Sequence, residues 1–319
     1  MYPKGTTPLN LPPRAHGHTG ARARNTLARW SYAEQMADVA LVTDSTSSLD
    51  PEEAASAGVT VVPLQVVIDG ESRAESDVPA AEVAAALRAG RTVSTSRPSP
   101  ESFAATYADL AARGATEVVS VHLSAQISGT CGAAGRAAAD AAVPVTVVDS
   151  RTLAMAEGFA VLSAAAAAGT GATAPAVAEV AAERARASTT YFYVDTLEFL
   201  RRGGRIGSAA AVLGSALSVK PLLTVTDGQI RPCERARTKS RALARLEELS
   251  LAALGSAAGS SSHVDVAVHH LNNADGAARL VDRLQGRVPG SAVAVREVSA
   301  VIGVHVGPGM LGVVVAPRV

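Results

Sequence analysis

Two segments rich in hydroxyl groups carry the residue types best suited to binding a small anion. Thr95 and Ser96 precede a predicted helix, and Ser128, Gly129 and Thr130 follow a predicted strand. Hydroxyls and unpaired backbone N–H groups at the start of a helix attract negatively charged ligands. Either segment alone is equally typical of a helix cap. Because both are expected at the same edge of one sheet, together they predict a site for a small anion.

An arginine and a histidine later in the chain have the chemistry to complete such a site. Arg205 follows the pair Gly203-Gly204. This pattern fits either a guanidinium presented to a carboxylate or phosphate, or a helix end with a solvated arginine. His305 lies in a segment, Ile302–Met310, whose three glycines predict a tightly packed loop. In that loop the imidazole is placed to hydrogen-bond an anionic head group.

The remaining polar candidates favour structural roles. Asp44 follows the first predicted strand and is either a turn cap or a phosphatase nucleophile. A phosphatase would need a second Asp two residues later, and Thr46 stands there instead. His122 is interpreted as a structural strand residue. No metal site is predicted, because His269 and His270 are neighbours on a strand and would face opposite sides.

Composition excludes several classes of ligand. The chain has 319 residues, with 29 Lys and Arg against 29 Asp and Glu, so its formal net charge is zero. A dedicated nucleic-acid-binding protein would be basic. The aromatic fraction is only 3%, which argues against surfaces that stack bases or sugars. The buried surface must therefore be built from aliphatic side chains.

Cysteine content and the amino-terminal segment indicate the setting of the protein. Cys131 and Cys233 are too few and too far apart for a disulfide framework, which suits a reducing cytosol and predicts a cytoplasmic location. Residues 1–37 contain five basic residues against one acidic residue and no apolar stretch typical of a secretory signal. We therefore predict a disordered basic extension over residues 1–37.

From residue 38 to residue 188, apolar segments of strand length alternate with Ala-rich segments of helical length. This alternation is typical of an α/β domain with a parallel sheet. The predicted strands are Val39–Thr43, Thr60–Ile68, Val118–Leu123 and Val145–Val148. The predicted helices are Pro79–Arg88, Pro100–Arg113, Cys131–Ala142, Arg151–Ala168 and Pro175–Ala187.

Residues 189–319 show a less regular pattern, which predicts a second, mixed α+β domain with the ligand between the two domains. Asp227-Gly228 is a strong hairpin signal. The predicted strands are Tyr191–Val194, Leu222–Thr226, Gln229–Cys233, Val264–Val268, Val293–Val298 and Leu311–Val315, and the predicted helices are Thr238–Leu254 and Ala274–Leu284.

Nine short motifs, in order along residues 38–319, resemble the DegV family. They are Val42-Thr43-Asp44-Ser45-Thr46, Val62-Pro63-Leu64, Thr95-Ser96-Arg97-Pro98-Ser99, Ile127-Ser128-Gly129-Thr130, Val148-Asp149-Ser150, Gly203-Gly204-Arg205-Ile206, Lys220-Pro221-Leu222, Arg237-Thr238-Lys239 and His305-Val306-Gly307-Pro308-Gly309. The resemblance implies a two-domain protein with a long-chain fatty acid buried between its domains. Ser124-Ala125, where many members have two serines, and Cys131, where an aromatic is frequent, depart from the pattern.

The resemblance also implies roles for individual residues. Thr95 and Ser128 resemble the hydroxyl partners of the fatty-acid carboxylate, and His305 and Arg205 resemble the residues beside them. Ser96, Gly129 and Thr130 belong to the same motifs and are predicted to contact the ligand. The implied protein is a carrier without catalysis and without a cofactor other than its bound fatty acid.

The resemblance further implies a separate fatty acid kinase as a partner, with Arg237 as the docking residue. Across Arg201–Arg241 nine Lys or Arg stand against two acidic residues, so a transient contact with an anionic membrane surface is also expected. Two other functions stay open. One is a hydrolase with Ser128 as nucleophile, His305 as base and Asp44 or Asp149 as the orienting acid. The other is a lipid-responsive sensor that acts without a kinase.

Overall fold

A computed structural model describes residues 38–212, 219–287 and 293–318. The predicted extension over residues 1–37 lies outside the described residues. The strands are β1 (Val39–Asp44), β2 (Val59–Val62), β3 (Gln65–Ile68), β4 (Glu71–Ala74), β5 (Val93–Ser96), β6 (Glu117–His122), β7 (Val145–Asp149), β8 (Thr189–Tyr193), β9 (Lys220–Thr226), β10 (Gln229–Ala236), β11 (Val264–His270), β12 (Val293–Glu297) and β13 (Leu311–Pro317).

The α-helices lie between these strands. They are α1 (Pro51–Ser56), α2 (Ala80–Arg88), α3 (Pro100–Ala112), α4 (Thr130–Ala138), α5 (Met155–Gly169), α6 (Ala174–Ala187), α7 (Glu198–Arg202), α8 (Lys239–Ser260), α9 (Ala274–Gln285) and α10 (Ala300–Val306). In the described part of the chain, no helix is long and apolar enough to cross a membrane.

A parallel sheet with the order β2-β1-β6-β7 forms the centre of the amino-terminal part. Every residue of β1 is buried, because alternate side chains enter different cores. Leu41 packs with α5 and α6 on one face, whereas Val42 packs with α3 and α4 on the other. This three-layer arrangement confirms the predicted α/β class.

A mixed sheet with the order β10-β9-β8-β13-β11-β12 forms the carboxy-terminal part. Its pairings are antiparallel except for β11 with β12. Helices α8 and α9 cover one face through Leu246 and Leu280. The hairpin prediction is confirmed, since Asp227 and Gly228 join β9 to β10 and both have positive φ. The boundary between residues 188 and 189 stays a prediction, although β8 begins at Thr189.

Helix α5 lies between the two sheets and joins them. Val161 packs under the parallel sheet, whereas Met155 and Phe159 pack against Ala267 and Val314 of the mixed sheet. A helix with apolar neighbours on opposite sides needs apolar residues all round. This explains why the residues of α5 are apolar on nearly every side of the helix.

Three sequence predictions about the elements were wrong. Thr60–Ile68 is two strands in different sheets, because Pro63 interrupts it and the backbone N–H of Leu64 donates to the Ser45 hydroxyl instead of to a neighbouring strand. The second half, β3, pairs with β4 and β5 in a small antiparallel sheet that was not predicted. Helix α5 begins at Met155, not at Arg151, which has positive φ. The loop predicted around His305 is helical up to Val306.

Candidate functional site

The side chains of Thr95 and His305 are in contact in the folded protein. Thr95 lies on β5, and the distance from its Oγ1 to Nε2 of His305 is 2.9 Å, although 210 residues separate them in the chain. His305 is in the last turn of α10. The prediction of a loop over Ile302–Met310 was therefore wrong for its first half. Ser299 caps this helix, and the glycines begin to act only at Gly307, where φ is 75°.

The imidazole of His305 is held in its neutral form. Burial lowers its pKa to about 4, and the nearby positive charge of Arg205 acts in the same direction. Its Nδ1 has no hydrogen-bond partner among the described residues. A side chain on Gly203 would collide with this ring, since an added Cβ would lie 2.1 Å from Nδ1. The glycine at position 203 therefore provides the space for His305.

Arg205 joins the two other predicted segments. Its Nε donates to the carbonyl of Ile127 at 3.2 Å, and its Nη1 donates to the carbonyl of Gly203 at 2.6 Å. Ile127 directly precedes Ser128, so the guanidinium fixes the hydroxyl segment beside the turn that contains Gly203. This arrangement supports a positioned guanidinium over the alternative of a solvated helix-end arginine.

The Ser128 segment is an ordered turn at the start of α4. The Ser128 and Thr130 hydroxyls lie 2.9 Å apart, and the Thr130 backbone N–H donates to Ser128 Oγ at 3.3 Å. Gly129 packs against the Arg97 side chain, with an added Cβ only 3.1 Å from Cδ of that arginine. The nearby Ser124 hydroxyl donates to the carbonyl of Gly228 at 2.7 Å, which attaches the tip of the β9–β10 hairpin to this segment.

Residues from these segments line one cavity, which we call the central tunnel. It encloses about 520 Å³ including its open mouth. Of the predicted site residues, Thr95, Ser96, Ser128, Arg205 and His305 line it. The apolar wall comes from both parts of the chain and includes Leu64, Leu123, Leu153, Leu200, Ile302 and Val306. The arrangement suits a ligand with an anionic head and an aliphatic tail.

Three predicted residues do not line the tunnel. Gly129 and Thr130 support the Ser128 turn from behind, and Thr130 is fully buried. Arg237 is exposed between β10 and α8 and makes no ion pair with any residue in the described ranges. Sequence reasoning did not assign Thr46 and Arg97 to the site, although both line the tunnel and both stand inside motifs that it had singled out.

Asp44 belongs to a buried hydrogen-bond network and not to the head of the tunnel. Its Oδ1 accepts from the Thr46 hydroxyl at 2.6 Å, and its Oδ2 lies 3.1 Å from Nδ1 of His122. Glu157 contacts Thr43 and Thr46, both at 3.1 Å. Burial raises the pKa of Glu157 well above its ordinary value, and the Asp44 charge acts in the same direction. A protonated Glu157 lets the hydroxyl of Thr46 accept from it while donating to Asp44.

The geometry does not assemble the hydrolase that the sequence left open. Asp44 pairs with His122, and Asp149 Oδ1 accepts from the backbone N–H groups of Ala125 and Arg151. No carboxylate of the described residues therefore orients His305 through Nδ1. His122 is confirmed as a structural strand residue, because it is fully buried with Ser120 Oγ 2.7 Å from its Nε2. The described residues contain no cluster able to hold a metal ion.

Comparison with known proteins decides the family. A family model described as uncharacterised protein, DegV family, matches residues 38–318. The chain belongs to the DegV family. A DegV domain-containing protein of Streptomyces coelicolor is 51% identical over 282 residues, which cover 88% of this chain and 99% of that protein.

Solved DegV structures share the whole fold. A DegV family protein from Thermus thermophilus, described by its fatty acid binding, is 34% identical with a TM-score of 0.81 and covers 88% of this chain and 99% of its own. DegV from Bacillus subtilis, described as a fatty acid binding protein, is 31% identical with a TM-score of 0.79. The match covers 87% of this chain and 98% of the Bacillus subtilis chain. The two-domain DegV fold predicted from the sequence is therefore confirmed.

Proposed function

We propose that this DegV protein binds a long-chain fatty acid in the central tunnel, with the carboxylate beside Thr95 and His305. The observation that carries the proposal is this polar pair, 2.9 Å apart, which lines a cavity together with hydroxyls, arginines and a wall of aliphatic side chains. The similar proteins from Thermus thermophilus and Bacillus subtilis are described as binding fatty acids. Burying a chain of about sixteen carbons would contribute on the order of 12 kcal/mol before ordering costs.

The neutral histidine gives the head group its orientation. In the tautomer that we propose, Nε2–H of His305 donates to Thr95 Oγ1, so that the threonine hydrogen is directed to the ligand carboxylate. Arg205 supplies positive charge, and Ser128 supplies a further hydroxyl. Ser96 also lines the tunnel. In this arrangement the tail provides affinity, whereas the polar pair selects an acid over an ester or an alcohol.

Native mass spectrometry of the purified protein tests the proposal directly. We expect an added mass equal to that of a long-chain fatty acid, retained under gentle conditions and removed by delipidation. The delipidated protein should then bind oleate at least tenfold more tightly than methyl oleate. Absence of any bound lipid, together with equal affinity for the acid and its ester, would contradict the proposal.

We propose further that the bound acid is presented to a separate ATP-dependent fatty acid kinase, which phosphorylates its carboxylate. Arg237 supports a docking role because it is exposed and unpaired among the described residues. Four other basic residues of Arg201–Arg241 share two acidic partners. Arg201 and Arg202 pair with Glu198, and Lys220 and Lys239 pair with Asp195. This local pairing weakens the case for a membrane surface and favours a small docking site.

A kinase assay separates carrier from sensor. Arg237→Ala should leave oleate binding unchanged and slow acyl-phosphate formation by a cognate kinase about tenfold. Arg201→Ala, which removes an arginine paired with Glu198, is the matched control and should have little effect. Equal rates for both variants would remove the docking role, and the absence of any acyl phosphate would favour a sensor.

A further inference from the structure

A second cavity adjoins the central tunnel at the residues proposed to hold the carboxylate. It encloses about 1020 Å³ including its open mouth, between α2, β5, α7 and α10. Thr95, Arg205 and His305 line both spaces, so both lie against the proposed carboxylate site. We call the second space the arginine cavity, after Arg91, Arg202 and Arg205, which line it.

The charged side chains that line the arginine cavity are all positive. No Asp or Glu lines it in the described part of the chain, and Thr92 and Ser94 add hydroxyl groups to the three arginines. Guanidinium forks and hydroxyls are the side-chain donors that suit the several oxygens of a phosphate group. The lining therefore indicates an anionic ligand, and one with more acceptor oxygens than a carboxylate has.

Each of the three guanidinium groups is held by a hydrogen bond and still has nitrogen atoms available to a ligand. Arg91 Nε donates to Asp69 and Arg202 Nε donates to Glu198, both at 2.7 Å. Arg205 uses Nε and Nη1 for the two carbonyls described above. The remaining Nη atoms of these arginines have no hydrogen-bond partner among the described residues. A ligand can reach them, because the side chains of Arg91 and Arg202 are 46% and 67% exposed.

The positive charge beside the arginine cavity exceeds that of its acidic partners. Arg201 and Arg202 share the single carboxylate of Glu198, and Arg205 makes no ion pair with a described residue. Helix α7 and the turn after it therefore carry two positive charges in excess, while the ion pair of Arg91 adds no net charge. A fatty-acid carboxylate carries only one negative charge. A phosphate monoester carries close to two at neutral pH, together with three acceptor oxygens, so it matches this excess better.

We propose that the arginine cavity is a phosphate-binding site, which holds the phosphate of a lipid phosphate whose chain lies in the central tunnel. This inference rests on the fatty-acid function proposed above, and it names the residues that would hold the phosphate of an acyl phosphate. Arg202 and Arg205 contact the phosphate oxygens, and Arg91 adds a third guanidinium from the segment between α2 and β5. Thr95 and His305 stay beside the atoms that join the phosphate to the chain. Such a site retains an acyl phosphate on the protein after the kinase reaction.

Calorimetric titration of the delipidated full chain with oleyl phosphate, oleate and inorganic phosphate tests this assignment. Oleyl phosphate has a chain of the same length and unsaturation as oleate and is not hydrolysed as readily as an acyl phosphate. We expect it to bind at least tenfold more tightly than oleate, and inorganic phosphate to bind far more weakly because it lacks the chain. Arg202→Gln should weaken oleyl phosphate binding about tenfold and change oleate binding less than about twofold, because Arg202 does not line the tunnel. Arg91→Gln should weaken oleyl phosphate binding by a smaller factor.

The matched control is Arg201→Gln, the same change at the preceding residue of α7, which also pairs with Glu198 but lines neither the tunnel nor the arginine cavity. It should leave both affinities unchanged, and thermal unfolding of each variant checks that the fold is retained. Equal affinities for oleyl phosphate and oleate, or equal effects of Arg202→Gln and Arg201→Gln, would overturn this inference and leave the fatty-acid function intact. Inorganic phosphate that binds as tightly as oleyl phosphate would overturn the assignment to a lipid phosphate. Failure of both lipids to bind would overturn the fatty-acid function and this inference together.

Discussion

At the scale of single residues, the pair Thr95–His305 makes a test of head-group recognition possible without disturbing the tail. Thr95→Val keeps the shape of the side chain and removes the hydroxyl that lies 2.9 Å from His305 Nε2. We expect oleate affinity to fall about tenfold, because one buried hydrogen bond to a charged group is lost. Ser94→Ala changes an exposed neighbour on β5 and should bind oleate like the parent protein in the same fluorescence titration. Equal affinities for the parent and Thr95→Val would contradict the role assigned to Thr95.

A second residue, His269, links stability to pH. Burial lowers its pKa to about 3, with the charges of Arg296 and His270 as smaller causes. The unfolded chain therefore binds a proton near pH 6.5 that the folded chain takes up only near pH 3. The contribution of His269 to the free energy of unfolding is therefore fully present above about pH 6.5 and decreases as the pH falls towards 3.

The expected slope is about 1.4 kcal/mol per pH unit between roughly pH 6 and pH 4. His269→Gln keeps an acceptor for the backbone N–H of Met155, which now bonds to His269 at 3.3 Å, and should reduce the slope by about that amount. Urea denaturation of both proteins across this pH range measures the difference between their slopes. His305 does not contribute to this difference because it is present in both proteins. The control is His263→Gln, a change at an exposed position, which should leave the slope unchanged. Identical slopes for His269→Gln and the parent would refute the assignment.

At the scale of elements, the turn after α7 sets the position of α10. Gly203→Ala would place a methyl group 2.1 Å from His305 Nδ1, so the ring must move away from Thr95. We expect at least a tenfold loss of oleate affinity. Gly204→Ala meets no atom within 4 Å but forces a side chain onto φ of +71°, so it should lower stability by about 1 kcal/mol and spare binding. Oleate titration and urea denaturation of both variants separate these effects, and equal affinities would exclude a positioning role for Gly203.

The same elements show how far the sequence could predict the fold and the site. Strands β1 and β6 were predicted because buried parallel strands are continuous apolar runs. Strand β4 was missed because its sequence, Glu-Ser-Arg-Ala, is polar and its pairing with β3 depends on tertiary context.

Helix α10 was missed because its glycines suggested a loop. Its burial against neighbouring elements outweighs the low helix propensity of Gly303. Thr95 and His305 could be named from their motifs. The contact between them, across 210 residues of sequence, depends on how the small sheet packs on α10. No local pattern encodes that packing.

At the scale of the whole molecule, the described residues contain many contacts that tie the parallel sheet to the mixed sheet. Helix α5 is shared between both cores. Arg184, only 1% exposed, forms an ion pair with Asp265, and Arg296 reaches Asp50 and Glu53. Separating the two parts would expose the apolar faces of α5 to water and break these ion pairs. We therefore expect both parts to unfold in one transition.

The two free cysteines report on this prediction from opposite sides, since Cys131 lies on α4 and Cys233 on β10. Burial raises the pKa of both thiols, so native thiolates are scarce and labelling is slow until the surrounding structure opens. Pulsed thiol labelling of Cys131→Ala and Cys233→Ala variants across a urea series should give coincident midpoints, and oleate should raise both equally. Earlier labelling of Cys233 would show that the mixed sheet opens alone, and a tunnel walled by both parts would then release its ligand without global unfolding.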